Sequence, residues 1–430
     1  MANVNIDLFN LIDENERRPG SWIMVKGENL NEALKPLISK LAVKFASKRK
    51  LTKYLQNKFN ISQSTSERFV FLMKDWHPLF LIREITDLSG ISRLKIQENI
   101  EFLKMNKPPL KVYKAVKGLS VDLCKIVGAH AADGTLNRNF FRITDGYKSN
   151  IIAFKNWVEN VFGVEYPIKK ISEKEWCVEF HSGIISAYLR RIFGFPSGMK
   201  QYTVSEPELI KNTLLRFRKA FVLGALTFEA GVGIRHQVEL CVSSKAFRDS
   251  LADILNLLNL EFTNMEQSSG KYWRLWSNKL SEDEAKKWME LFEPETEKWF
   301  KLKDYAYGYQ EKVNSFEEAV DKLNEIYPPK SSSKICLKDV LSTIKELKET
   351  YRYELVSFLC KKKNLDSYGG EWAHSLFPYL DILRRANVIQ VEKKKFGKKK
   401  SFGSIVREVY IYNPKITEWK VPSRPFQLKY

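Results

Sequence analysis

Ile126-Val-Gly-Ala-His-Ala-Ala-Asp133-Gly134 and Val222-Leu-Gly-Ala-Leu-Thr-Phe-Glu229-Ala230-Gly231 decide how this chain is read. Each is an apolar, small-residue stretch of helical character closed by one acid, and Gly128 precedes Asp133 at the same spacing as Gly224 precedes Glu229. One such block reads as a core helix with a glycine after its C-terminus. Two of them, each followed by similar strand and helix patterns, read as an internal duplication. A helix C-terminus carries partial negative charge, so a carboxylate placed there sits in an unfavourable field. Small residues on both helices (Gly128, Ala129 and Ala132; Gly224 and Ala225) let two backbones pack closely, which brings Asp133 and Glu229 near each other. Two carboxylates in one place repel unless something neutralises them. A divalent cation that takes oxygen ligands, Mg²⁺ or Mn²⁺, is the expected partner.

Outward from the motifs, residues 119–312 read as two copies of helix, strands, helix, strands, helix. In the first copy the motif helix leads into a strand over 139–144, a helix over 151–162, a hairpin over 168–181 and a helix over 184–193. In the second copy a strand over 234–242 is followed by a helix over 246–258, a hairpin over 261–278 and a helix over 281–292. Strand alternation assigns the faces. Trp176, Val178, Phe180, Val238, Leu240 and Val242 are expected to pack on helices. Arg142, Thr144, Glu175, Cys177, Glu179, His181, Arg235, Gln237 and Glu239 are expected on the other face. Taken singly each is a solvated sheet residue; as a set beside a pair of acids they are candidate readers of a DNA major groove, which admits a two-stranded ribbon.

These blocks resemble the LAGLIDADG homing endonuclease family in its single-chain, two-motif form, over roughly residues 119 to 312. Asp133 and Glu229 stand where that family keeps its metal-binding acids, and Gly134 keeps the closing glycine. The chain departs from the pattern at Ala230, which replaces the second closing glycine, at Ala131 and Thr227, which replace the first acid, and at His130, where an apolar residue is usual. The resemblance implies an α+β fold with a duplicated αββαββα core, and metal-dependent, sequence-specific cleavage of double-stranded DNA. It also implies a basic residue in each half near the scissile phosphate, and Lys200 and Lys303 fall at matching places after the two closing helices. Two other roles reuse this fold and stay open: a transcription regulator that binds DNA without cutting it, and a maturase-like protein that binds RNA.

The composition is consistent with a nucleic-acid partner. A net charge of +20 and a pI near 9.5 favour an extended polyanion. With 44% hydrophobic and 13% aromatic residues the chain can fill buried cores. Its five cysteines lack metal-ligand spacing, and no phosphate loop, dinucleotide fingerprint or nucleophile elbow is present. No long apolar run and no signal-peptide pattern is found, so a membrane partner is not expected. A cytoplasmic, nucleoid-associated monomer with internal pseudo-twofold symmetry is.

Both flanks carry DNA-binding patterns. Residues 1–118 read as mostly helical and basic. Lys48–Phe59 has helical periodicity, Asn60-Ile-Ser62 makes a turn with an N-capping serine, and a second helix opens at Gln63. A helix-turn-helix of this kind presents Gln63, Ser64, Thr65 and Arg68 to DNA. A further packing helix is expected over Trp76–Ile85. Residues 313–430 read as a winged-helix-like domain: three helices, a strand over 388–392, a basic loop over 393–400 and a strand over 407–412. Lys398, Lys399 and Lys400 at the wing tip are expected to contact phosphates.

Overall fold

The computed structural model describes residues 4–12, 22–107, 110–198, 200, 202–232, 237–266, 272–278, 280–309, 311–326, 335–365, 376–399, 402–412 and 418–421. The chain is a mixture of helices and antiparallel sheets. It forms two compact units, the first built from residues 1–231, 238–278 and 287–299, the second from 232–237, 279–286 and 300–430. Among the described residues no helix is long and apolar enough to cross a membrane.

The first unit opens with a segment that is less purely helical than its sequence suggests. Strands His77–Pro78, Ile23–Lys26, Phe102–Met105 and Tyr113–Lys114 form an antiparallel sheet in that order. Strands of two to four residues are too short to print an alternation pattern. Beside them lie helices Leu30–Lys44, Lys48–Phe59, Gln63–Val70, Leu79–Ser89 and Arg93–Gln97. The turn between the second and third of these has local causes. Asn60 takes a left-handed backbone at φ 49° and ends one helix, and the Ser62 side chain accepts from the Thr65 amide to start the next. The helix expected over Trp76–Ile85 begins only at Leu79, because Pro78 holds the preceding residues extended.

The remainder of the first unit holds the motif helices, Val121–Asp133 and Leu215–Glu229. After the first come strands Gly134–Asn137 and Phe140–Asp145, helix Lys148–Phe162, strands Ile168–Ser172 and Glu175–Phe180, and a short helix Gly183–Ala187. After the second come strand Val238–Val242, helix Lys245–Leu257 and strands Phe262–Glu266 and Trp273–Ser277. In both sheets the last strand of the pair pairs centrally: Glu175–Phe180 lies between Phe140–Asp145 and Ile168–Ser172, and Trp273–Ser277 lies between Val238–Val242 and Phe262–Glu266. From strand Phe140–Asp145 and strand Val238–Val242 onward, both runs continue as helix, strand, strand, and the last of these strands is central in each sheet.

The core of this unit is aromatic. Phe141, Phe154, Trp157 and Phe180 pack together, and Phe154 reaches Phe228 of the second motif helix at 5.8 Å between ring centroids. Val238, Leu240 and Val242 are buried with exposed residues between them. Cys177 departs from the expected alternation: it shares a face with Glu175 and Glu179 yet is buried. A buried ion pair, Arg218 to Glu206 through two hydrogen bonds of 2.8 and 2.7 Å, anchors the start of the second motif helix.

In the second unit, helices Phe316–Ile326, Leu337–Leu347, Arg352–Lys362 and Phe377–Arg385 enclose a core that includes Val340, Ile344, Leu355, Leu359, Leu380 and Leu383. A long hairpin, Ile389–Lys399 with Phe402–Tyr412, is joined on its second strand by Glu349–Tyr351. The basic run expected as a loop over 393–400 is strand as far as Lys399. Its partner stretch Ser404-Ile-Val406 supplies the ladder that extends the strand through the lysines.

Candidate functional site

The motif helices meet at their glycines. A Cβ on Gly128 would lie 1.9 Å from the Phe221 carbonyl oxygen, and one on Gly224 would lie 2.0 Å from the Lys125 carbonyl oxygen. Each glycine thus faces backbone of the opposite helix, and no larger residue fits at either position without moving the helices apart. Both helices are apolar on nearly every face because both are buried, which is why their sequences lack an amphipathic stripe.

This packing brings the two terminal acids into one electrostatic site. Asp133 is reached by solvent and Glu229 is half-buried, but dense protein surrounds both carboxylates and displaces much of their water. This desolvation raises Asp133 to about 6 and Glu229 to about 7. Glu229 is pushed up further by the Asp133 carboxylate, while Lys200 and Lys298 pull both acids down. A third carboxylate, Asp145, adds to the rise at Asp133. Asp145 is itself fixed by the Tyr147 amide at 2.6 Å and the Asn150 side chain at 3.0 Å.

A lysine from elsewhere in the chain binds the last turn of each motif helix. The Lys200 ammonium donates to the His130 carbonyl and, at 3.0 Å, to the Ala131 carbonyl. The Lys298 ammonium donates to the Thr227 and Phe228 carbonyls at 2.7 and 3.1 Å. These carbonyls belong to the last helical turns and carry the negative end of the dipole; the His130 carbonyl also accepts from the Gly134 amide. Burial lowers Lys200 to about 8, against the pull of Asp133 and Glu229. In the second half the lysine on the helix end is Lys298; Lys303, later in the same helix Glu297–Tyr307, belongs to the second unit and is exposed.

The departures from the motif pattern have structural accounts. Thr227 is buried, its hydroxyl donating to the Leu223 carbonyl at 2.8 Å and lying 3.3 Å from the Glu293 amide. Its carbonyl accepts from Asn150 as well as from Lys298. His130 is fully buried, edge-on to Phe141 and Phe195, with no hydrogen bond to either ring nitrogen. Burial and the neighbouring Lys200 hold it neutral. Gly134 has φ −78° and Ala230 φ −74°, so neither helix needs a glycine conformation at its end. Glycine is required at 134 for space: a Cβ there would lie 2.3 Å from His130 Nδ1.

The donor set can be weighed for a metal ion. Among the described residues no group of three or more His, Cys, Asp or Glu side chains converges. Two carboxylates remain, both held above their ordinary range by burial. That supply suits Mg²⁺ or Mn²⁺, which bind through one or two carboxylates and complete their shells with water and phosphate oxygens. It does not suit zinc, which takes three or four nitrogen or sulfur ligands.

The other candidate residues fall on three surfaces. On the first sheet Arg142 and Thr144 are half-buried and His181 is exposed, with the Glu179 carboxylate 3.7 Å from Arg142, 3.9 Å from His181 and 2.5 Å from Lys169. On the second, Gln237 precedes strand Val238–Val242 and is half-buried, Glu239 pairs with Arg274 at 3.3 Å, and Arg235 lies outside the described residues. On helix Gln63–Val70, Gln63, Ser64 and Arg68 are exposed, Gln63 bonding Glu67 at 2.8 Å. Lys398 and Lys399 pair with Ser404 and Phe402 in the long hairpin, and Lys400 lies outside the described residues. Sequence reasoning missed Lys298, Asp145 and Asn150, which adjoin the acids only through tertiary packing.

No protein-family model matches the chain, and no curated protein matches it. Among solved structures, it is similar to I-DmoI in complex with DNA and Mn, at 13% identity and a TM-score of 0.28, over 37% of this chain and 89% of that one. It is similar to full-length DUF199/WhiA from Thermatoga maritima at 12% identity and a TM-score of 0.30, over 62% and 92%. The N-terminal LAGLIDADG domain of DUF199/WhiA is similar at 12% identity and a TM-score of 0.27, over 47% and 86%.

Proposed function

We propose that this chain is a DNA-binding protein of LAGLIDADG homing-endonuclease architecture, its two halves related by a pseudo-twofold axis through the motif helices, and that it cuts both strands of a specific duplex. The observation that carries this reading is the matched pair of helix ends: a glycine against the opposite backbone, a terminal acid and a carbonyl-binding lysine in each half. A fold that needed only close helices would have no use for two desolvated carboxylates at unfavourable helix ends.

Asp133 and Glu229 would hold Mg²⁺ or Mn²⁺, one acid serving each strand. Such an ion, when bound, lowers the pKa of a coordinated water and stabilises charge on the leaving oxygen of a phosphodiester. The chain's own groups do the rest. Lys200 and Lys298 fix the helix ends, and each carries a positive charge beside the acids, where a scissile phosphate would need it. Lys303, exposed on the same helix as Lys298, would contact the phosphate backbone. Arg142, Thr144, His181, Arg235 and Gln237 would face the major groove from the two sheets. Gln63, Ser64 and Arg68 would act from a helix-turn-helix, and Lys398, Lys399 and Lys400 from the wing of a winged-helix-like domain.

A second reading has its own support. Two lysines already face two acids, so the centre is close to charge balance without a cation, as a regulator that binds DNA and leaves it intact would require. One experiment separates the two. The chain is incubated with a randomised duplex library with and without Mg²⁺, and the ends are mapped. The endonuclease reading expects staggered breaks at a defined sequence, lost in Asp133→Asn and Glu229→Gln while affinity is retained. Tight binding to one sequence with no breaks in Mg²⁺ or Mn²⁺ overturns it in favour of the regulator, and preference for structured RNA at equal salt overturns it in favour of a maturase-like role.

A further inference from the structure

The N-terminal segment holds a cavity that the cleavage centre does not use. It encloses about 240 Å³ and is lined in part by Trp22 and Trp76, with Thr65, Arg68, Lys74 and Asn106 among its polar walls. That volume is far above the roughly 30 Å³ of a water molecule and below the roughly 300–1,000 Å³ of pockets that take drug-sized ligands. It suits one flat ring system. The wall chemistry is equally specific. Both indoles are half-buried, with ring surface left to line the space. Arg68 and Lys74 are exposed.

Positive charge is concentrated around this cavity. The Lys104 ammonium lies 4.1 Å from the Trp76 ring centroid. Lys104 is held below the ordinary lysine range by its burial and by the charges of Lys74 and Lys26. Among the described residues, Asp75 pairs with Lys26 of this cluster at 3.2 Å. The buried wall is uncharged: His77 is lowered to about 4 by burial, and its Nε2 lies 2.5 Å from the Asn31 side-chain oxygen. Thr65 and Arg68 belong to helix Gln63–Val70, the second helix of the helix-turn-helix.

We infer that this cavity binds one unstacked nucleotide of single-stranded DNA, its base against Trp22 and Trp76 and its phosphate against Arg68 and Lys74. In a duplex every base is covered by its neighbours, so a base-sized aromatic cavity is usable only by a strand that is open or opened. Stacking on aromatic side chains under a basic rim is the general chemistry of single-strand capture. The inference rests on the DNA-binding part of the reading above and not on cleavage. A protein that holds its target strand by one captured nucleotide gains a grip that tolerates any sequence, because every base has a π-face.

The test uses the full chain, a labelled oligothymidylate and a duplex of the same length at equal salt, with affinities read by fluorescence anisotropy. Trp76→Ala is expected to weaken single-strand binding about tenfold and to leave duplex binding within twofold. Trp76→Phe should recover most of the loss. Asn106→Phe fills the cavity from an exposed position on its wall and should reproduce the selective loss, so a misfolded Trp76→Ala protein does not leave the question open. Lys74→Ala should weaken both ligands. Unchanged single-strand affinity in the alanine and cavity-filling variants, or an equal loss on duplex, overturns the inference while leaving the DNA-binding reading standing. Failure of the unaltered chain to bind either ligand overturns both.

Discussion

At the scale of single residues, the centre of this protein is set by what does not fit. Gly128 and Gly224 face carbonyl oxygens of the opposite helix at distances no Cβ tolerates. Gly128→Ala or Gly224→Ala should therefore destabilise the fold by about 2–4 kcal/mol, as overpacking against backbone does, and urea unfolding will read it; a change below about 0.5 kcal/mol would contradict the close approach. The acids make a second prediction. Asp133 rises from 3.8 to about 6 and Glu229 from 4.5 to about 7 on folding. Their folded forms bind protons more tightly than their unfolded forms, so the contribution of these two acids to stability is most favourable below about pH 4, falls as pH rises, and reaches its full deficit above about pH 7. Asp133→Asn and Glu229→Gln should each flatten that fall, and pH-dependent thermal unfolding without divalent ions will show it. The glycines and the acids were legible in the sequence because motif spacing carries them. Lys298 was not, because placement after the closing helices also admitted Lys303; its spacing from Glu229, 298 − 229 = 69, matches that of Lys200 from Asp133, 200 − 133 = 67, and is the signal that could have found it. His130 and Gly134 are a coupled pair of the same hidden kind, since the glycine is required by the imidazole behind it.

At the scale of elements, what sequence periodicity could carry was the long helices and the hairpin strands. Lys148–Phe162, Lys245–Leu257 and both central hairpins have enough residues to print their period, and the motif helices are marked by their repeated glycine-to-acid spacing instead. Strands of two to four residues around the N-terminal sheet do not, and His77–Pro78 is visible only as a ladder partner of Ile23–Lys26. The lysine run at 393–399 misleads in the other direction, because charge suggests a loop while the partner strand imposes a ladder. Cys177 misleads by its neighbours, since burial at the strand centre overrides alternation. Lys298 gives this scale its prediction. It is buried and holds two carbonyls at the end of the second motif helix. Lys298→Met keeps the apolar stem and removes the donor, and should cost about 1–3 kcal/mol through the loss of its bond to the Phe228 carbonyl and of one of the two donors to the Thr227 carbonyl. Lys303→Met, at an exposed position, should stay within about 0.5 kcal/mol. Equal effects of the two substitutions on thermal unfolding would contradict the assignment of Lys298 to the helix end.

At the scale of the whole molecule, a charge of +20 is distributed over elements that each present basic or polar side chains: the first sheet, helix Gln63–Val70 and the long hairpin. Binding that uses them releases counterions, so affinity for duplex DNA should fall steeply with salt. Neutralising Lys398, Lys399 and Lys400 together should make that slope shallower, and a slope unchanged from the unaltered chain would remove the hairpin from the interface. The proposed function requires that the pair of acids, Asp133 and Glu229, works as one centre. The most direct measurement of that claim is Mn²⁺ binding to the full chain with duplex DNA present, followed by electron paramagnetic resonance in the unaltered protein, in Asp133→Asn and in Glu229→Gln. The account predicts Mn²⁺ bound by the unaltered protein and lost in each single variant; full Mn²⁺ binding in both variants would contradict it.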